Sequence, residues 1–404
     1  MSLEALRHAL DALDEPTSCE GTHRLDEPLA LMLPDGDVGA LGDPAFVEWL
    51  LAHSELAPFG DGFVTRVDPG VRNVQRVIGR GAIDVSGFDV TAILPAIEEA
   101  LSPTAHLTAS LTDVLVYNPG GKFVRHRDTP YTRDLVGTLV VGLPIAHTGG
   151  AFIVDDGAGK KSYDWGTPVD DRTVRWVALF ADVDHEVAEV VSGARVTLVY
   201  SLDSTYVPRD DPRIRAKLAT VQAAIARLEL GGEPIMVACA RHVITGKTPP
   251  TIGSLRGIDR EVAQLFVQAG YKVTVRSCLA ATSSDGSERP RLAPNPWGDD
   301  FAVARLRDGL TRELLDSLGP VHAFVPQDQC SGDDGGGWIG FDDEPVSLAP
   351  HLMPELLPHR WVIRTKAAAT LIHETAFDEY GFFGNGGFEA LLYTLAALEI
   401  TPRT

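Results

Sequence analysis

His126 and Asp128 stand one residue apart, and His185 and Arg195 follow downstream. On an extended strand residues i and i+2 point to one face, so an imidazole and a carboxylate at that spacing can chelate a single metal ion. With His185 the set becomes two histidines and one carboxylate. That donor set suits mononuclear Fe(II): a facial triad leaves neighbouring coordination positions open for a co-substrate and O2. Arg195 and Thr197 share a face of the run Arg195-Val-Thr197-Leu-Val-Tyr-Ser-Leu. A guanidinium gripping a carboxylate in two places, helped by a hydroxyl, would anchor the distal acid of a dicarboxylic co-substrate. The α-keto acid at its other end would chelate the iron.

Each of these residues has an ordinary reading when taken alone. A single histidine is most often a surface or hydrogen-bonded core residue, and a single arginine an ion-pairing one. Asp128 before Thr129-Pro130 reads as a turn former. The order of the four and their strand context favour the functional reading. Other arrangements fall away. His53-Ser-Glu55 is expected inside a helix, where a two-residue step turns side chains apart. His373-Glu374 lacks the second histidine of a zinc protease motif, because Phe377 stands there. Gly335–Gly337 lacks a P-loop lysine, and His147, beside Gly149-Gly150, carries no assigned role.

The elements that must position the ligands are strands. Apolar, β-branched runs separated by turns cover Leu111–Tyr117, Leu135–Leu143, Ala151–Val154, Val174–Phe180, Val187–Val191 and Val196–Leu202. Short strands at this spacing indicate a sandwich or barrel. Helices are expected over 2–13, over 44–56 with Asp43 as N-cap and Pro44 at its first position, and over 90–101. A helix opening at Asp211-Pro212 carries Ile214, Leu218, Val221, Ile225 and Leu228 at helical spacing, and Gly231-Gly232 stop it. Beyond it, Pro234–Ala240 and Lys272–Ala281 read as strands and Asp259–Ala269 as a helix. Thr282–Asp300 and Asp328–Gly337 read as loops. This gives an oxygenase domain over 1–205 (helical to about 104, strand-rich after it), a linker helix over 206–232, and an α/β region over 233–404.

The chain has 404 residues and a formal net charge of -21. Such a surface repels phosphate backbones and disfavours nucleic acid, while it would attract a basic protein or peptide segment. Four cysteines without a C-x-x-C pair argue against a zinc module or a disulfide scaffold and fit a reducing compartment. The N-terminal residues lack a signal-peptide pattern, and the longest apolar stretch, Leu135 to Ala146, is too short and broken to span a bilayer. A cytoplasmic protein is expected.

Tyr117-x-x-Gly120-x-x-Phe123-x-x-His126-x-Asp128-Thr129 resembles the signature of the prolyl 4-hydroxylase-like 2-oxoglutarate/Fe(II) oxygenases. Gly149-Gly150-Ala-Phe, His185-Glu-Val and Gly193-Ala-Arg195-Val-Thr197 extend the resemblance over about 105–203. It implies an α+β chain with a double-stranded β-helix (jelly-roll) core, flanking helices and a mixed α/β C-terminal region. Fe(II) would be held by His126, Asp128 and His185. Arg195 and Thr197 would hold the C5 carboxylate of 2-oxoglutarate, with Tyr117 lining its pocket. Turnover with O2 would yield succinate and CO2, with ascorbate as a stimulant. The implied substrate is a protein or peptide side chain, proline among the candidates, and Tyr131 and Arg133 would form a substrate lip. The alternatives are a free amino acid or small metabolite as substrate, or a sensor whose C-terminal half is a binding module. A looser resemblance, through Pro58-Phe-Gly60, Asp68–Val71, Ser254–Arg260 and Gly384–Gly387, points to a larger group in which an α/β-like region follows the oxygenase. Gly386 stands where that group usually carries an acid.

Overall fold

A computed structural model describes residues 3–13, 16–61, 64–79, 82–103, 105–128, 135–155, 159–205, 212–232, 234–241, 251–284, 321–324, 360–362, 375–376 and 389–402. The chain divides into two compact units, one of residues 15–211 and one of residues 1–14 with 212–404.

The 15–211 unit is built on antiparallel strands. A seven-stranded sheet runs in the order Ser18–Arg24, Thr173–Phe180, Leu135–Gly142, Arg195–Thr205, His106–Tyr117, Gln75–Val77, Ser54–Leu56. A five-stranded sheet runs Lys160–Tyr163, Phe152–Asp155, Asp184–Val187, Lys122–His126, Arg72–Asn73. Their apolar faces share one core: Phe152, Val154 and Val187 of the smaller sheet cluster with Leu139, Val141, Leu179 and Leu198 of the larger. The middle strands of the large sheet lack clean alternation because both faces are covered. Helix α3 (Leu94–Leu101) packs on Ser18–Arg24, His106–Tyr117 and Thr173–Phe180. Gly137 allows a close backbone approach: a Cβ there would clash with the Leu179 carbonyl oxygen.

Helix α2 is shorter than the expected 44–56. It spans Phe46–Ala52, with Asp43 Oδ1 accepting from the Ala45 amide in the turn before it. The chain leaves the helix at His53 because Ser54–Leu56 pairs with Gln75–Val77. His53 and Glu55 are therefore not on one helix, but neither serves a metal: His53 Nε2 lies 3.2 Å from Asp37 Oδ2, and Glu55 pairs with Arg76. The expected strand over 187–191 is divided into Asp184–Val187 and Val190–Gly193, which brings His185 inside a strand.

In the other unit the first helix, α1 (Leu3–Asp11), packs on α4 (Pro212–Ala226), so residues 3–11 do not join the 15–211 unit that follows them in the chain. Leu6, Ala9 and Leu10 form an apolar stripe that needs a partner stripe. They share a core with Leu218, Val221 and Ile225 of α4 and with Ile258, Val262 and Phe266 of α5 (Ile258–Gln268). Helix α4 is thus part of this core rather than a free linker. The accompanying sheet is mixed. Lys272–Ser284 pairs antiparallel with Glu389–Thr401, whereas Ile235–Ala238 with Arg360–Val362 and Lys272–Ser284 with Val321–Phe324 are parallel. Lys272–Ser284 runs on through Thr282, where a loop was expected. Among the described residues no helix is long and apolar enough to cross a membrane.

Candidate metal centre

The Lys122–His126 strand lies beside Asp184–Val187, and their register sets His126 opposite His185. Asp128 follows two residues later, its amide donating to the Ala181 carbonyl at 3.2 Å. One donor atom from each of His126, Asp128 and His185 lies within 4.8 Å of the other two. The imidazole centroids are 4.2 Å apart at 58°, and His185 Nε2 is 3.7 Å from Asp128 Oδ1. Three side chains expected to converge from the sequence do converge.

Their neighbours fix them for ligation. His126 Nδ1 lies 2.8 Å from the Val124 carbonyl and His185 Nδ1 3.0 Å from that of Val183. A carbonyl only accepts, so each Nδ1 carries the proton and each Nε2 keeps its lone pair for a metal. Thr138 Oγ1 donates to Asp128 Oδ2 at 2.5 Å and orients the carboxylate. Phe123 stacks on His126 with centroids 3.5 Å apart, and the Arg72 guanidinium sits 4.7 Å from the centre of the Phe123 ring. Burial pushes the His126 imidazole down to about 3, with the His185 charge adding to the effect. A ring held neutral in this way is ready to bind a cation. Burial works against the neighbouring Asp184 carboxylate, but hydrogen bonds from Arg127 and Arg125 outweigh it and hold its pKa below the usual range. Asp184 is thereby committed to those arginines rather than to the centre.

The second part of the site is a buried polar cradle. Arg195 is 2% exposed and Thr197 is 1% exposed, yet among the described residues Arg195 Nη2 and Thr197 Oγ1 find no hydrogen-bond partner. The guanidinium lies 5.2 Å from the centre of the Tyr117 ring and 5.5 Å from that of Trp165. Tyr117 is opposite Arg195 in the strand register. Burial lowers the Arg195 pKa and raises that of Tyr117. A buried cation with an unanswered N–H is costly, and an anion accepting from Arg195 and Thr197 removes that cost. The donor sets therefore fit both groups expected from the sequence: Fe(II) at the two histidines and the aspartate, and a carboxylate at the arginine and threonine.

Tyr131 and Arg133, expected as a substrate lip, lie outside the described residues, as do His373-Glu374, Gly335–Gly337 and Gly384–Gly387. The sequence reading missed Thr138 and Trp165. Thr138 had a signal, being the lone hydroxyl in the apolar run Leu135–Gly142.

No family model matches the chain, and no curated protein matches it. Among solved structures it is similar to a Pseudomonas putida prolyl-4-hydroxylase, at 19% identity and a TM-score of 0.30, covering 49% of this chain and 98% of that one. It is also similar to a 2OG-Fe(II) oxygenase family oxidoreductase from Burkholderia pseudomallei, at 14% identity and a TM-score of 0.28, covering 52% and 95%. A Trichoplax adhaerens prolyl hydroxylase, described in complex with a hypoxia inducible factor peptide fragment, gives 12% identity and a TM-score of 0.28 over 50% and 91%. At such values the functional reading is left to the geometry of the site.

Proposed function

We propose that the 15–211 unit is an Fe(II)- and 2-oxoglutarate-dependent oxygenase, with its seven- and five-stranded sheets forming a double-stranded β-helix. The observation that carries this reading is the pairing of a His-Asp-His donor set with a buried Arg195 Nη2 and Thr197 Oγ1 that find no partner among the described residues. In this reading His126 and His185 offer Nε2 and Asp128 a carboxylate oxygen to Fe(II). Arg195 and Thr197 hold the distal carboxylate of 2-oxoglutarate, and Tyr117 and Trp165 exclude water around the guanidinium. Bound together, iron, 2-oxoglutarate and O2 supply a decarboxylation to succinate and CO2 that hydroxylates an unactivated C–H bond. The chain's own part is orientation and desolvation.

The substrate proposed is a protein or peptide side chain, proline among the candidates. A net charge of -21 favours basic segments through long-range attraction. Incubation with a peptide library should give peptide-dependent succinate and peptides heavier by one oxygen atom. Succinate formation that only free amino acids stimulate would move the assignment to small molecules. Arg195→Ala should raise the 2-oxoglutarate requirement about a hundredfold, for loss of about 3 kcal/mol from a desolvated charge pair. An unchanged requirement would mean that another residue anchors the co-substrate.

A further inference from the structure

His147 opens the short strand His147–Gly149 and is 8% exposed. Its Nδ1 lies 2.9 Å from the Ile145 carbonyl, so that nitrogen carries the proton. Nε2 is left as a bare acceptor, buried and without a hydrogen-bond partner among the described residues. This is the third partnerless polar atom of one neighbourhood, with Arg195 Nη2 and Thr197 Oγ1. Register places His147 opposite Gly193, two residues before Arg195. Gly150 (φ +69°) sits between them and beside Val190: a Cβ there would lie 2.8 Å from Val190 Cγ2, 3.1 Å from Arg195 Cδ and 3.5 Å from His147 Cδ2, the carbon bonded to Nε2. The ring edge that carries the bare lone pair therefore borders the arginine's cradle.

A neutral Nε2 repels a carboxylate lone pair, whereas a protonated one donates to it. We propose that His147 is a proton-coupled anchor of the co-substrate: when 2-oxoglutarate binds, His147 takes one proton from solvent, and its Nε2–H donates to the carboxylate held by Arg195 and Thr197. This rests on the oxygenase reading above and adds a residue to it. The charged groups facing His147 give the free protein the opposite bias. Burial lowers its pKa most, the Ile145 carbonyl opposes this, the Arg195 charge lowers it further, and Asp164 raises it. Tyr117, beyond Arg195, stays neutral because burial raises its pKa. A bound carboxylate supplies the missing negative charge.

Linkage fixes the sign. Binding raises the pKa of His147, so its extra affinity is fully present below the free-state value and is lost as pH rises through the bound-state value. Between the two, Kd should rise about tenfold per pH unit for uptake of one proton. The test is calorimetric titration of the full chain, loaded with Mn(II) and free of O2, with 2-oxoglutarate across a pH series. Two buffers of different ionisation enthalpy count the protons. The expected result is net uptake within that window, absent in His147→Gln, whose amide donates without titrating. Binding with no proton uptake at any pH, or with undiminished uptake in His147→Gln, overturns the assignment while leaving the oxygenase reading intact. No binding at any pH, with Mn(II) bound, overturns both.

Discussion

At the scale of single residues, the site is legible where chemistry and strand period coincide. His126 with Asp128 and Arg195 with Thr197 are both i, i+2 pairs; the strand period puts Arg195 and Thr197 on one face, while Asp128 follows just past the end of the His126 strand. The support behind them is harder to read. Thr138 stands out as the lone hydroxyl of its apolar run, but only the fold brings it to Asp128. Residues that orient metal ligands contribute strongly to affinity, so Thr138→Val should weaken Fe(II) binding about 10- to 100-fold without unfolding the protein. Fe(II) titration beside a circular dichroism spectrum checks this, and unchanged affinity would remove Thr138 from the site. His147 was hidden for a similar reason, since a histidine beside two glycines gives no hint of a buried arginine near it.

At the scale of elements, apolar strands are readable and polar ones are not. One strand was expected to begin at Val187, past Asp184-His-Glu. It begins at Asp184, because those polar residues have partners in the fold: Asp184 accepts from Arg125 and Arg127, and His185 turns to His126. Helix α2 was overextended because nothing in 53–56 announces that Gln75–Val77 will pair with it. Strand packing at Gly137 is a sharper matter. A methyl there meets a backbone carbonyl rather than a movable side chain. Gly137→Ala should therefore cost about 3 kcal/mol or more, at or above the upper range for overpacking, and lower Tm and Fe(II) occupancy together. A thermal melt matching that of the natural chain would show that the Leu135–Gly142 and Thr173–Phe180 strands can part.

At the scale of the whole molecule, the sequence indicated two regions but misassigned their membership. Helix α1 precedes the strands of the 15–211 unit in the chain and yet buries its stripe on α4, a long-range partnership that amphipathic spacing cannot specify. Leu10 is fully buried in that core. Leu10→Ala should destabilise the unit of 1–14 and 212–404 by about 2–5 kcal/mol while leaving Fe(II) affinity at His126, Asp128 and His185 unchanged. Denaturant unfolding, followed in parallel with metal titration, separates the two effects. A matched loss of metal affinity would mean that the units do not fold independently.

The central claim is that His126, Asp128 and His185 hold Fe(II) while Arg195 and Thr197 present 2-oxoglutarate to it. The most direct measurement is anaerobic addition of Fe(II) and then 2-oxoglutarate to the purified chain, followed by visible absorption. A metal-to-ligand charge-transfer band that requires both additions and disappears in His185→Ala is the predicted result. A folded protein that binds Fe(II) but develops no band with 2-oxoglutarate, or a band that survives in His185→Ala, would contradict the account.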